Sequence, residues 1–422
     1  MKNYFVSWRR FQLFALATVA LISGFTASAQ VYSYQLNPLW SIFPEFPHDW
    51  VSTNNTQRGL AYNAATSHLL TVSRYPATNA AVYILDSSSG DLLGNLSTNE
   101  IFPDINFPLN LVGVADDGVI YACNLTVDST NAATGNNGPF RIYRWANESA
   151  EPTVAYLGDP SDGDTNGAHR RFGDSFAVRG SSVNTEMLAG TRAGKILARF
   201  TTVDGVNFTH QKIDAPELVG AVAMATISFG TNNTFFVKSE SSVNTNYPLQ
   251  HFSYDVGAGT ATLLQSYTNI VGGPLAFDPS RKLMGIIGAK THELRLFKLT
   301  SLGFVQQDMS RPFPTANANG NYTGAIVFTV DKLFALESNN GLMAFTISTN
   351  ALAPFAATIA VASDIATLTW PGTAVFLYQP QFKDALSDPT WTNFGNVTNG
   401  AGDISINDTA AGAMKFYQIQ AE

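Results

Sequence analysis

The most polar stretch of the 422-residue chain is DPSDGDTNGAHRRFGDS, residues 159–175. Its first half follows the D-x-D-x-N-G calcium loop, in which alternate side chains converge on a hard cation and a glycine permits the turn. Its second half departs from that pattern, because Gly173 stands where the loop has a bidentate Glu. The stretch therefore predicts a Ca²⁺ site whose oxygen ligands come from Asp159, Asp162, Asp164, Asn166 and Asp174.

A solvated connection between two strands is the alternative interpretation of this stretch. Neighbouring carboxylates repel each other unless a cation or a basic side chain neutralises them, and His169, Arg170 and Arg171 stand beside them. The Gly-Asp-Ser at 173–175 also matches a motif of serine esterases. A nucleophilic serine needs a base within hydrogen-bond reach, and the last histidine, His292, has no Asp three residues before it. We therefore expect Ser175 to open a β-strand.

A repeated β pattern must position these residues. A short apolar strand, a polar turn, a second apolar strand, a variable loop and an alternating strand recur about every 50 residues. Four strands in about 50 residues are typical of a β-propeller blade, which must stack on its neighbours to bury both faces. The sequence predicts an all-β fold with six blades, seven being the alternative. The first turns of the repeats begin at Asn63, Asp116, Arg179, Gly230, Asp278 and Thr329.

The ends of the repeat array predict how the ring closes. The last repeat lacks a fourth strand, whereas YQLNPLWSI (Tyr34–Ile42) precedes the first repeat without a partner. We expect this segment to become the outer strand of the last blade, since closure removes exposed sheet edges. The alternative is that Ala351–Val361 fills that place. The domains are then a propeller over residues 30–350 and a small β-sandwich over residues 351–422.

One face of such a ring predicts a ligand site. The loops that follow the second strands gather around the axis on the face where Arg58 and the 159–174 loop would also lie. Polar groups of both signs in a ring can hold an anionic or sugar ligand by converging hydrogen bonds. The predicted ligand-binding residues are Arg58, Arg74, Asn124, Arg192, Glu240, Lys290 and Glu337.

Several segments of the repeats resemble an uncharacterised domain-of-unknown-function family of secreted bacterial propeller-like proteins. They are RGLAYNAATSHLLTVSR (58–74), VYILDSSSGDLLG (82–94), LVGVADDGVIYACNLT (111–126), FRIYRWANE (140–148) and RFGDSFAVRG (171–180). The tail segments LTWPG, DPTWTNFG and KFYQIQ resemble short fibronectin-like modules of secreted bacterial proteins. The resemblance implies a propeller, export and a C-terminal β module, and it implies no catalytic residues.

The N-terminus predicts the compartment. Lys2, Arg9 and Arg10 precede an apolar run of 13 residues, Leu13–Phe25, and a small-residue cleavage pattern. This order is typical of a secretory signal peptide, and the run is shorter than the roughly 20 apolar residues of a membrane span. We expect cleavage after Ala29 and a secreted or cell-surface protein with no transmembrane segment.

Charge and cysteine content exclude several classes of protein. Loss of residues 1–29 would change the formal net charge from −8 to −11, which argues against a nucleic-acid partner. The single cysteine, Cys123, excludes an internal disulfide and CxxC chemistry, and we interpret it as a small apolar strand residue. Two functions fit these observations. One is a non-catalytic scaffold that binds an extracellular glycan, peptide or surface protein. The other is a metal-dependent propeller hydrolase or lactonase, whose metal ligands would come from several blades.

Overall fold

The computed structural model describes residues 31–422 except 45–47, 49, 76–79, 102–105, 221–225, 239–246, 269, 354, 363–364, 386 and 410–414. The predicted signal peptide lies outside the described residues. The chain divides into two compact units, Ser33–Asn350 and a second unit that contains Ala351–Glu422 with Val31 and Tyr32. The described residues form strands, two short 3-10 helices (Gly167–His169 and Ser182–Asn184) and no α-helix. The predicted all-β class is confirmed.

The strands of the first unit follow one another as antiparallel meanders, which we number 1 to 6 in chain order. In meanders 1 to 5 the strand nearest the ring axis comes first in the chain. The strands of meander 1 are β2 (Gln57–Asn63), β3 (His68–Ser73), β4 (Ala81–Asp86) and β5 (Leu92–Asn95). Those of meander 2 are β6 (Leu111–Val114), β7 (Ile120–Cys123), β8 (Phe140–Trp145) and β9 (Thr153–Gly158). Those of meander 3 are β10 (Ala177–Arg179), β11 (Glu186–Gly190), β12 (Ile196–Thr202) and β13 (Phe208–Asp214).

The second half of this unit repeats the same order. Meander 4 has β14 (Thr226–Phe229), β15 (Thr234–Lys238), β16 (Leu249–Asp255) and β17 (Thr260–Tyr267), and the one parallel pair Asp214↔Thr260 joins it to meander 3. Meander 5 has β18 (Leu275–Asp278), β19 (Leu283–Gly288), β20 (Glu293–Thr300) and β21 (Gly303–Gln306), with the short β22 (Arg311–Pro312) beside β20. Meander 6 has β23 (Gly324–Phe328), β24 (Lys332–Glu337), β25 (Gly341–Ala351) and, from the N-terminus, β1 (Tyr32–Ile42).

The N-terminal strand β1 pairs with β25 at the outer edge of meander 6. Strand β1 is anchored by Leu36, which is fully buried and whose backbone N–H donates to the carboxylate of Asp308 at 2.8 Å. The prediction that Tyr34–Ile42 supplies this outer strand is confirmed. The alternative segment, 351–361, instead contains the last residue of β25 and the start of the second unit's first strand.

The first strands of the meanders form a closed ring. Strand β2 contacts β6 and β23, β10 contacts β6 and β14, and β18 contacts β14 and β23. Each first strand ends within two residues of a turn predicted from the repeats, as at Asn63, Arg179 and Asp278. The fold is therefore propeller-like.

Apolar cores lie between neighbouring meanders, and strand alternation creates them. In β7, Ile120 and Ala122 pack into the core shared with meander 1, while Tyr121 and Cys123 pack into the core shared with meander 3. Successive side chains of a strand point to opposite faces of its sheet, so this four-residue strand contributes to both cores. Cys123 is fully buried, which confirms its interpretation as a small apolar strand residue.

The second unit contains two three-stranded sheets. One has the order β26 (Thr358–Ala362), β27 (Ile365–Gly372), β30 (Gly402–Asp408), and the other has the order β29 (Thr392–Asn393), β28 (Tyr378–Lys383), β31 (Phe416–Ala421). Trp370 and Tyr378, one from each sheet, are buried in the same apolar core. The unit therefore has a hydrophobic core of its own.

Candidate functional site at the upper face of the ring

The strand directions bring two sets of loop residues to one face of the ring. A first strand begins where its antiparallel second strand ends; in meander 6, Gly324 at the start of β23 pairs with Glu337 at the end of β24. We call the face on which first strands begin the upper face, and the opposite one the lower face. The predicted ligand-binding residues that the structure describes all lie at these upper strand ends, and Glu240 lies outside the described residues. They are Arg58, Arg74, Asn124, Arg192, Lys290 and Glu337.

Four arginines and one aspartate form a cluster on this face. Asp174, whose side chain is 4% exposed, accepts hydrogen bonds from Arg171 (Nε at 2.5 Å and Nη2 at 3.0 Å) and from Arg192 (Nη1 at 2.9 Å). Arg58 and Arg74 lie close enough to Asp174 for its charge to affect their pKa values. We call these five residues, Arg58, Arg74, Arg171, Asp174 and Arg192, the arginine cluster. It joins side chains from meanders 1 and 3 across the ring.

Burial and mutual repulsion perturb the charges of the cluster. Burial lowers the pKa of Arg58 to about 10, with Arg192 and Arg171 lowering it further and Asp174 opposing them. Burial also lowers the pKa of Arg74 to about 9, and the neighbouring charge of Arg58 adds to this effect. Burial alone would raise the pKa of Asp174, but Arg171 and Arg192 outweigh it and hold that pKa below its ordinary value. The lowered pKa values of Arg58 and Arg74 still lie above neutral pH, so both guanidinium groups are charged there.

Arg58 and Arg74 are only partly satisfied by protein partners. Arg58 donates from Nη1 to the hydroxyl of Thr323 at 3.0 Å, while its buried Nε donates to no atom of the described chain. Arg74 lies over the ring of Phe107, 4.3 Å from its centroid, and donates from Nη2 to the backbone oxygen of Asn55 at 3.4 Å. Its buried Nη1 has no partner in the described part of the chain. Buried polar groups usually find partners, so each of these two nitrogens can donate a hydrogen bond to a bound ligand.

The local sequence RFGD explains how Arg171 and Asp174 reach the cluster. Phe172 is fully buried and pairs through its backbone with Thr126. Gly173 has a φ of +101°, and a Cβ there would meet the backbone oxygen of Asn124 at 2.1 Å. Only glycine suits this close approach. Phe172 and Gly173 therefore fix the backbone that carries Arg171 and Asp174, a role that spacing alone did not indicate for Arg171.

Two predicted ligand-binding residues have other surroundings. Asn124 is buried; its Oδ1 accepts from the backbone N–H of Arg141 at 2.9 Å and its Nδ2 donates to the backbone oxygen of Pro139 at 3.1 Å. It therefore links β7 to the start of β8. Lys290 is exposed beyond the end of β19. Neither residue joins the arginine cluster.

Glu337 forms a separate group with His292. Glu337 is fully buried, and its Oε1 lies 2.8 Å from Nδ1 of His292. Asn340 Nδ2 lies 3.1 Å from the same imidazole nitrogen. Burial raises the pKa of Glu337 to about 7, with His292 acting in the opposite direction. The group places a carboxyl that titrates near neutral pH on the upper face.

The predicted calcium ligands have separate protein partners. Asp159 accepts from the hydroxyls of Ser129 and Ser161 at 2.6 and 2.7 Å. Asp162 is more than half exposed and pairs with His210 Nε2 at 2.9 Å. No group of three or more His, Cys, Asp or Glu side chains within the described ranges could hold a metal ion. Asp164 Oδ2 lies 2.8 Å from Nδ1 of His169. Asn166 Oδ1 accepts a hydrogen bond from the backbone N–H of Ala168 at 3.1 Å.

The serine of the Gly-Asp-Ser motif bridges two strand ends. Ser175 is buried, accepts a hydrogen bond from the backbone N–H of Gly190 at 3.0 Å and lies 3.4 Å from the oxygen of the same residue. Strand β10 begins two residues later, at Ala177. The serine thus fastens the start of the first strand to the end of the second.

A cavity of about 880 Å³ runs along the ring axis. The first strands of all six meanders line it. Asp174 of the arginine cluster lies at its upper end, and Asp116, Arg179 and Asp278 lie toward its lower end. Much of the wall between is apolar, with Tyr62 and aromatic side chains of later first strands. The cavity is partly open and large enough for a small ligand, and Asp174 is the residue of the cluster that lines it.

Comparisons with known proteins address the fold. No family model matches the chain, and no curated protein matches it. A solved structure of a DUF4623 family protein from Bacteroides eggerthii DSM 20697 is similar, with 14% identity and a TM-score of 0.51 over 78% of this chain and 84% of that one. At this identity the similarity concerns the fold alone. No helix of the described chain is long and apolar enough to cross a membrane.

Two enzymes show weaker similarity. The PQQ-bound aldose sugar dehydrogenase of Streptomyces coelicolor has 12% identity and a TM-score of 0.40 over 76% of this chain and all of its own, 100%. A gluconolactonase from Xanthomonas campestris has 12% identity and a TM-score of 0.42 over 75% of this chain and 98% of its own. These TM-scores are too low to support any statement about the chemistry of this chain.

Proposed function

We propose that the chain is an exported, non-catalytic binding protein that holds an extracellular ligand at the upper face of its ring. In this proposal the six meanders are the blades of a six-bladed β-propeller, and residues 351–422 form a small fibronectin-like β-sandwich. The signal peptide, residues 1–29, directs export and is removed.

One observation carries the proposal: charged side chains from different meanders converge on the upper face, where Asp174 also lines the axial cavity. Arg58 belongs to meander 1, Arg192 and Asp174 belong to meander 3, and Arg58 bonds to Thr323 of meander 6. Ligand sites typically combine an enclosed space with a few converging polar groups.

Binding assays with the chain 30–422 test the proposal. We expect it to bind a member of an array of neutral and acidic oligosaccharides and peptides, and we expect Ala318→Trp to abolish that binding. Ala318 is exposed in the loop that enters β23 on the upper face. A tryptophan there would obstruct the upper face, while the backbone oxygen that accepts from Asn339 would remain.

Ala64→Trp is the matched control, because Ala64 is exposed in the first turn of meander 1 on the lower face and lines the other end of the cavity. We expect it to leave binding unchanged. Loss of binding in Ala64→Trp with normal binding in Ala318→Trp would place the site at the lower face. No binding to any member of the array would refute the proposed function.

A further inference from the structure

We propose that the arginine cluster binds an oxyanion group, a carboxylate or sulfate, carried by an acidic saccharide. This inference rests on the proposed function and assigns the ligand class of the same site. Guanidinium groups recognise carboxylate, sulfate and phosphate oxygens through paired, charge-assisted hydrogen bonds.

The charge of the cluster is the first argument. Four guanidinium groups surround one carboxylate, so the cluster carries an excess of positive charge, although the whole chain has a formal net charge of −8. Burial weakens solvent screening, and Arg58 destabilises the charged form of Arg74. An anion at this position would therefore be attracted by a local field opposite in sign to the protein's net charge.

The bonding of Asp174 is the second argument. Both of its carboxylate oxygens already accept from Arg171 and Arg192. Asp174 therefore neutralises part of the positive charge of the cluster. In the described chain it accepts no hydrogen bond from Arg58 or Arg74. Within the cluster, the buried nitrogens that lack a partner in the described chain are Nε of Arg58 and Nη1 of Arg74. A second oxyanion is the group that the cluster lacks.

The rim around the cluster favours a saccharide as the carrier. Asn54 is exposed, and Asn55, Asn321 and Tyr322 are partly exposed, in the two loops that flank Arg58 and Thr323. Arg192 also donates to the backbone oxygen of Asn321 at 3.4 Å, which ties one of these loops to the cluster. Neutral amide and hydroxyl groups donate to and accept from sugar hydroxyls. An acidic sugar matches this arrangement, because its anionic group can pair with the central arginines and its hydroxyl groups can bond to the neutral polar rim.

Thermal unfolding of the chain 30–422 tests the inference with sodium glucuronate, oligogalacturonate and sodium sulfate, each compared with sodium chloride at equal ionic strength. Ligands that bind the native state alone raise the melting temperature. We expect such a rise in the native sequence and a loss of affinity of at least tenfold in Arg74→Gln and in Arg192→Gln. Arg281→Gln is the control, since Arg281 follows the end of β18 at the lower face, where it pairs with Asp278. The general stabilising effect of sulfate on proteins is the same in all variants.

Three outcomes would overturn the inference. Equal shifts in the native sequence and in Arg74→Gln would show that the anions act elsewhere. Binding of an oligoglutamate peptide without any acidic sugar would reassign the carrier to a peptide. Binding of a neutral oligosaccharide that Ala318→Trp blocks and Arg74→Gln does not affect would refute the anion site while the proposed function stands. Melting curves without ligand confirm that each variant is folded.

Discussion

Arg58 and Thr323 are separated by 265 positions in the chain, yet Nη1 of Arg58 donates to the hydroxyl of Thr323 at 3.0 Å. The bond connects the first strand of meander 1 to the loop that enters meander 6. Thr323 in turn bonds through its hydroxyl to Ser338 at 2.9 Å. The arginine cluster is thus assembled at the place where the two ends of the ring meet.

Thr323→Val should destabilise the fold, because it leaves Nη1 of the buried Arg58 without an acceptor. Hydrogen bonds to charged groups contribute about 1.5–3 kcal/mol, and we expect a loss of that size in the free energy of unfolding measured with urea. Thr358→Val, which removes an exposed bond to a backbone oxygen in the second unit, should change little. An unchanged unfolding free energy in Thr323→Val would contradict this role.

Asp174→Asn should be severely destabilising. Breaking a buried ion pair by removing one partner costs about 3–5 kcal/mol, and Asp174 is the carboxylate that Arg171 and Arg192 share. The exposed Asp91 provides a control in Asp91→Asn. Urea unfolding of the three proteins measures the difference, and a small effect at Asp174 would show that the arginines tolerate the loss of their counter-ion.

The pH dependence of the free energy of unfolding should reflect the titration of Asp174. The folded pKa of Asp174 lies below its ordinary value of 3.8, so its stabilising contribution is present above that value and is lost as the pH falls through the folded pKa. The native protein should therefore lose stability in acid more steeply than Asp174→Asn. Parallel curves for the two proteins below pH 3.8 would contradict the assignment.

Glu337→Gln should have the opposite pH signature. Burial raises the folded pKa of Glu337 from 4.5 to about 7, so the unfolded chain ionises first and the native protein loses stability between these two values as the pH rises. The variant avoids this loss. Its stability relative to the native protein should therefore increase by roughly 3 kcal/mol at most across the interval. A difference that stays constant with pH would rule out a raised pKa.

Cys123 should be inert to thiol reagents in the native state. It is fully buried, and burial raises its pKa to about 12, whereas the thiolate is the reactive form. We expect labelling by a disulfide reagent to be slow in buffer and fast in denaturant, with a native rate that follows unfolding. Rapid labelling of the native protein would contradict the packing of β7. The single cysteine makes the assay specific.

Sequence patterns are sufficient to predict the ring of strands, but they predict only part of the candidate site. Alternation along strands such as Ile120–Cys123 specifies which residues face each core, and turn residues every 50 positions locate the strand ends. Arg58, Arg74 and Arg192 were placed correctly at upper strand ends because the repeat sets those ends. Which strand ends come into contact depends on how the ring closes, and the sequence pattern does not specify that. The bonds of Asp174 to Arg192 and of Arg58 to Thr323 could therefore not be predicted.

Individual side chains at strand ends were harder to assign. Asn124 has the residue type of a ligand-binding group, but its amide satisfies the backbone of Pro139 and Arg141. The alternative interpretation pairs the acids of residues 159–175 with neighbouring basic side chains, and Arg171 does pair with Asp174. The Ca²⁺ site of residues 159–174 stays a prediction, and thermal unfolding with Ca²⁺ and with a chelator would test it.

The pairing of β1 with β25 also has a consequence for the order of folding. Ser33 and Asn350, which lie on these strands, are hydrogen-bonded across 317 positions. Strand β1 therefore cannot pair until β25, near the end of the ring, has been synthesised. Closing so long a loop is entropically costly and slow. If the chain crosses a membrane from its N-terminus, β1 emerges first but is the last strand of the ring to pair. Final assembly of the ring then takes place in the compartment that the exported chain enters.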